Sequence, residues 1–277
     1  GGIPIIRPLC QCLAANYIEG IAGILNGTTN FILTMMIEKG MSFDEALKIA
    51  QEKGYAEKDP TADVEGHDAC RKVCILASLA FGKHVYPNQV ETEGITNITL
   101  EDVSYIENAG GVIKLLGQIK YINDNEIAAF VSPAVVYNGS QLASVKDVFN
   151  AILVRGDAVG DVCFYGPGAG KLPTASAVVA DIIDCAKHSE RKKIFGWGAG
   201  DEDYVVDYKE RIEMPFYVRA KATPAEINAK FSDVKFLSRK GQPSDEVAFI
   251  TDIMTENKLN KKLDGINVIN TIKVTNY

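Results

Sequence analysis

Gly54-Tyr55-Ala56-Glu57-Lys58-Asp59-Pro60-Thr61-Ala62-Asp63-Val64-Glu65-Gly66-His67-Asp68-Ala69-Cys70-Arg71-Lys72 sets a carboxylate-rich loop against the start of a helix that carries a lysine. Pro60 fixes its own φ and pushes Asp59 out of the helical region, so Asp59-Pro60 reads as a turn. After Gly66 the pattern becomes helical. Ala69, Val73, Leu76, Ala77 and Ala80 share one face, and Gly82 ends the run, so a helix is expected over 66–81. Asp68 and Lys72 are four apart and are neighbours on that helix. Glu57 and Asp63 arrive from the loop. The convergence suits a small polar substrate with a cationic amine and an oxygen that gains or loses a proton. The plainer reading is a surface Asp68–Lys72 salt bridge, worth about 0.3–0.5 kcal/mol.

Working upstream, Ser42-x-x-Glu45 is a capping box opening a helix over 43–53. A helix over 29–38 precedes it, capped by Thr28 or Thr29 and stopped by Gly40. A strand over 17–24 comes before that. Downstream, residues 100–107 read as a short helix. Residues 112–122 alternate as a strand, Asn123-Asp124-Asn125 turns the chain, and 126–133 returns. Strands over 150–154 and 162–165 and a helix over 175–187 complete the first unit. Its fold class is α+β, mixed α/β with antiparallel hairpins and an open sheet rather than a βαβ repeat. A break rich in charge and glycine at 187–203 separates residues 1–195 from a smaller unit at 204–277. In that unit 215–222, 234–239, 247–251 and 268–274 read as strands, with a helix over 258–263.

The chain has 277 residues, enough for one or two domains with a sizeable core. A net charge of −7 argues against nucleic acid, because nothing would neutralise phosphates. No apolar run reaches the roughly 18–20 residues that span a bilayer, so no membrane partner is expected. The six cysteines, Cys10, Cys12, Cys70, Cys74, Cys163 and Cys185, form no CxxC and are not at ligand spacing with His67, His84 or His188. They read as free thiols of a reducing cytoplasm.

Ala50, Gly54, Tyr55, Asp59, Pro60, Asp63, Val64, Gly66, Asp68 and Lys72 together resemble the signature of homoserine dehydrogenase, A-x3-G-aromatic followed by [DNS]-P-x2-D-aliphatic-x-G-x-D-x3-K. Gly1-Gly2-Ile3-Pro4-Ile5-Ile6, Gly20 to Asn30 with its Asn26-Gly27-Thr28-Thr29-Asn30, Asn150-Ala151, and Gly166 to Ala175 resemble further blocks of that family. The likeness runs from Gly1 to about Lys187. It implies reversible hydride transfer between NADP or NAD and L-aspartate 4-semialdehyde, giving L-homoserine, on the path to threonine, methionine and isoleucine. It implies Lys72 as the proton donor, buried so that its pKa falls. It implies Glu57 and Asp68 as holders of the substrate ammonium, Asp63 as the residue that orients Lys72, and Tyr55, Gly27 and Thr28 as pocket walls. Gly54 and Gly170 match cofactor-contacting glycines, and Gly1 and Ile3 match two of the backbone carbonyls that hold sodium in the family, an incomplete set, so no competent ion site is expected.

The resemblance also implies a homodimer through the free face of the sheet, and an amino-acid-sensing, ACT-like fold for 204–277. There the stretch 222–231 lacks the glycine usual after the first strand of such domains. No strand–GxGxxG–helix lies near Gly1, so the expectation is a chain without the family's dinucleotide-binding domain and inactive by itself. A non-catalytic amino-acid-binding regulatory module is the other reading, and a purely structural dimer a third.

Overall fold

The computed structural model describes residues 1–190 and 196–277. The expected boundary at 195, and part of the break at 187–203, fall outside the described residues. The first unit opens with a π-helical turn, Pro8–Cys12, and then runs β1 (Ile18–Ile24), α1 (Gly27–Lys39), α2 (Phe43–Glu52), α3 (Thr61–Val64), α4 (His67–Phe81) and β2 (Glu91–Thr92). It continues with α5 (Leu100–Asn108), β3 (Gly111–Asn123), β4 (Glu126–Tyr137), β5 (Phe149–Gly156), β6 (Gly160–Pro167) and α6 (Lys171–Lys187). The second unit runs α7 (Tyr208–Arg211), β7 (Glu213–Met214), β8 (Phe216–Lys221), α8 (Pro224–Lys230), β9 (Val234–Leu237), β10 (Glu246–Thr251), β11 (Met254–Thr255), α9 (Glu256–Leu263) and β12 (Asn267–Val274).

Local chemistry explains most element ends. Ser42 and Glu45 form the expected capping box of α2. Gly40 and Gly82 close α1 and α4 in the left-handed conformation. α1 starts earlier than expected because its cap is Asn26, whose side chain accepts the Thr29 N–H, and not Thr28 or Thr29. β4 runs four residues past the expected end at 133. Pro133 is tolerated because no third strand pairs with it: β2 pairs at Phe130 and Val131, and β12 at Ala134 and Val135.

Strands of both units join in one mixed sheet of order β6-β5-β1-β3-β4-β12-β8-β10-β9, with β2 also on β4. The seam is short. Lys273 pairs with Ala134 and Val274 with Val135, in parallel. On one face of the first unit α1 and α4 bury Leu33, Met36, Val73 and Leu76 against Ile21, Ile113 and Ile119. The sequence reading leaves the other face free. In the structure its centre is covered, because Leu142 and Val145 from the loop after β4, with Tyr277, pack on Ala22, Leu116 and Leu153. Cys163 and Tyr165 on β6 stay exposed there. All six cysteines are free thiols, with Cys70 and Cys74 buried. A hydrogen bond from Cys74 holds the Cys70 thiol below the usual range.

The second unit has strand–helix–strand–strand–helix–strand topology with its four main strands ordered β12-β8-β10-β9, the ferredoxin-like arrangement. It is tied to α5 by buried charge. Arg219 on β8 meets Asp102 on α5 at 2.8 Å, and Arg239 meets Glu246 on β10 at 2.8 Å. Tyr217 donates to Asp102 at 2.9 Å and Tyr105 to Glu246 at 2.8 Å. Burial pushes the Tyr105 hydroxyl up to about 12 and raises that of Tyr217 further.

Candidate active site

β1 ends at Ile24, and the chain turns through Leu25 and Asn26 into α1. Asn26 organises the polar wall around this turn. Its Oδ1 accepts from the Thr29 N–H at 2.9 Å, which fixes the orientation of the amide. The amide nitrogen therefore points outward and donates to Asp63 Oδ1 at 2.7 Å and to Asp68 Oδ2 at 3.0 Å. Asp68 lies in the first turn of α4, where the helix dipole favours a carboxylate. Lys72, one turn on, donates to Asp68 Oδ2 at 2.5 Å and to the Leu25 carbonyl at 2.9 Å. Two carboxylates and an ammonium are thus gathered at the starts of α1 and α4 by one asparagine.

A second set of contacts holds the Gly54–Asp59 loop. The Thr28 hydroxyl donates to the Tyr55 carbonyl at 2.8 Å, the Tyr55 and Phe31 rings lie edge to face with centroids 5.1 Å apart, and Gln51 donates to the Glu57 carbonyl at 3.0 Å. Gly54 takes φ 74°, a conformation open to glycine. The facing wall comes from the β5 start and the turn before α6. Asn150 donates to the Ile24 carbonyl at 2.9 Å. Its Oδ1 would lie 2.2 Å from a Cβ on Gly168, so only glycine allows that approach. A Cβ on Gly170, by contrast, would meet nothing closer than Pro173 at 3.6 Å.

Between these walls is a cavity of about 770 Å³. Lys72, Asp68, Asp63, Glu57, Tyr55, Gly27, Thr28, Gly54, Gly170, Gly1 and Ile3 all line it. The residues singled out in the sequence thus line one cavity, and the structure differs from the expectation in three details. Lys72 is not buried, since its side chain is 41% exposed along the wall. Asp63 hydrogen-bonds Asn26 and reaches Lys72 only through Asn26 and Asp68. The Thr28 hydroxyl is taken up by the Tyr55 carbonyl. Sequence reasoning misses Asn26 and Asn150. The preference of asparagine for helix caps is a signal for the first. For the second, nothing local marks its contact with residue 24.

The Ile3 carbonyl already accepts the Ile5 amide at 2.9 Å. Among the described residues no cluster of three His, Cys, Asp or Glu could hold a metal ion.

The fold and the cavity define a mixed α/β protein with a carboxylate, lysine and glycine-walled site at converging helix starts. The chain belongs to the homoserine dehydrogenase family: the model of that family matches residues 4–183. The homoserine dehydrogenase of Synechocystis sp. is 50% identical over 187 residues, which are 66% of this chain and 43% of that protein. The chain thus spans less than half the length of the curated relatives it matches. Among solved structures, a homoserine dehydrogenase from Thiobacillus denitrificans superposes with a TM-score of 0.84 at 37% identity, covering 99% of this chain and 68% of that one. A hyperthermophilic archaeal homoserine dehydrogenase mutant in complex with NADPH matches with a TM-score of 0.55 at 31% identity over 68% of this chain and 53% of that one.

Proposed function

We propose that this chain carries the substrate site of a homoserine dehydrogenase, which interconverts L-aspartate 4-semialdehyde and L-homoserine with NADP or NAD in a cytoplasmic amino-acid pathway. The observation that carries the reading is the Asn26–Asp63–Asp68–Lys72 network on the cavity wall. Lys72 Nζ gives a proton to the carbonyl oxygen in the reducing direction and takes one from the hydroxyl in the other. The Leu25 carbonyl and Asp68 keep that nitrogen in place.

Asp68 Oδ2 already serves Lys72 and Asn26, so Glu57 is the main holder of the substrate ammonium, with Asp68 Oδ1 beside it. Among the described residues the Glu57 carboxylate has no hydrogen-bond partner of its own, and it faces the cavity. Tyr55, Gly27 and Thr28 shape the floor. The Cβ-free surfaces of Gly54 and Gly170 fit the close approach of a flat ring, and those backbones would hold the nicotinamide, which supplies the hydride when bound.

The ferredoxin-like topology supports an ACT-like, amino-acid-sensing role for residues 204–277. The exposed Val178, Ile182 and Ile183 of α6 fit packing against a further domain, and a homodimer completes the proposal. The test is calorimetric titration with L-homoserine and, separately, L-threonine. Glu57→Gln should weaken homoserine binding by roughly tenfold or more, the loss of one charge-assisted hydrogen bond. Unchanged affinity would place the ammonium elsewhere. Threonine binding without homoserine binding would favour the regulatory module.

A further inference from the structure

Lys114 on β3 is 2% exposed, and among the described residues it makes no ion pair. Its Nζ donates to Asn30 Oδ1 at 3.0 Å and to the Val145 carbonyl. An ammonium hidden this way costs several kcal/mol unless its surroundings compensate. Burial, helped by Lys146, pushes its pKa down to about 8, against the pull of Glu38 and Asp147.

The same neighbours converge on one turn. Asn30 Nδ2 donates to the carbonyls of Val145, Asp147 and Phe149 at 3.3, 3.0 and 3.2 Å. The Thr34 hydroxyl accepts the Asp147 N–H at 3.1 Å. Asp147 has φ 54°, the one positive φ outside glycine among the described residues. A residue in that conformation persists when its surroundings hold it. Directly beyond, Val148 and Asn150 line the cavity. The Val148 carbonyl would lie 2.8 Å from a Cβ on Gly27, and Asn150 packs on Gly168.

We propose that Lys114 is a positioning residue for the cavity, holding through Asn30 the 145–149 turn that sets Val148 and Asn150 against Gly27 and Gly168. Its importance for catalysis rests on the substrate role proposed for the cavity, but the hold on the turn can be tested without any ligand.

The experiment is pulsed amide hydrogen exchange on the whole chain from pH 7 to 9.5, corrected for intrinsic rates, for the wild type and Lys114→Met. Opening the turn returns Lys114 to water, where its pKa is about 10.4. Opening then takes up a proton at any pH between the two values. Protection of residues 145–150 should therefore rise with pH above about 8, by at most roughly tenfold per pH unit. Lys114→Met should abolish that slope. At pH 9 it should also lower protection of the turn by roughly tenfold, since Asn30 and Val145 lose their donor. β3 and β4 should change less than twofold. A flat wild-type profile, or a loss spread evenly over β3, β4 and the turn, overturns the proposal. If Lys114→Met does not fold, the wild-type slope decides. A slope confined to the turn with no L-homoserine binding would sink the substrate reading and leave the positioning role standing.

Discussion

The molecule contains two ionic networks built from the same chemistry and placed in different solvent. One joins Lys72, Asp68, Asn26 and Asp63 on the cavity wall, where the side chains of Lys72 and Asp68 are 41% and 34% exposed. The other joins Arg219, Asp102, Glu246 and Arg239 between α5 and the second unit, where the side chains of Arg219 and Asp102 are 6% and 0% exposed. In the buried network oxygens are claimed several times over. Asp102 accepts from Tyr217, Asn270 and Arg219. In the cavity network donors and acceptors are left facing open space. Dry charge whose oxygens are multiply claimed fixes a shape, and half-wet charge with spare valence can meet a ligand.

Four substitutions break or sharpen this contrast. The largest effect belongs to Lys72→Ala. In a form of the protein competent for turnover it should lower kcat by about 10²–10⁴-fold, with homoserine affinity within a few-fold of wild type. Steady-state kinetics decide it, and near-normal turnover would remove Lys72 from the chemistry. Arg219→Met comes next. It leaves Asp102 without its cation in the interior, while Glu246 keeps Arg239, and urea unfolding should register a loss of about 3–5 kcal/mol. A loss under about 1 kcal/mol would mean that the buried network behaves like a surface one. Asn26→Ala is intermediate. Losing the α1 cap costs about 1 kcal/mol, and freeing Asp63 from Asp68 should weaken homoserine binding by a similar margin. Equal affinity in the variant would show that the two carboxylates hold their places unaided. Asp68→Asn should be the mildest for folding, under about 1 kcal/mol, because its ion pair with Lys72 is solvated. A larger loss in the same urea experiment would erase the distinction between the networks.

The limits of reading this chain fall along the same line between local and distant contacts. α4 and its stop at Gly82 are legible because the apolar spacing and the glycine lie within one segment. The α2 capping box is legible for the same reason. The cavity is legible as a set of residues because the signature Gly54 to Lys72 is contiguous and the other walls match blocks of the same family. Its wiring is not. Asn26 meets Asp63 and Asp68 across 37 and 42 residues, and no periodicity announces such a bond. The buried pair of Arg219 with Asp102 is 117 residues apart, and in sequence each is an ordinary surface-type charge. Nor does any motif mark Lys273 and Val274 as partners of Ala134 and Val135. The covering of the second sheet face by the loop after β4 and by Tyr277 lies equally far from local signals.

That two-rung seam has a mechanical meaning. β4 is a common spar: β3 hangs from one side and β12 from the other. Sheets twist with a fixed hand, and paired strands share that twist. An unbroken run of ladders leads from β8 through β12, β4 and β3 to β1. At the tip of β1 sits the Leu25 carbonyl that grips Lys72. The second unit thus shares one hydrogen-bonded frame with the strand that ends at the lysine's anchor, rather than hanging from a linker.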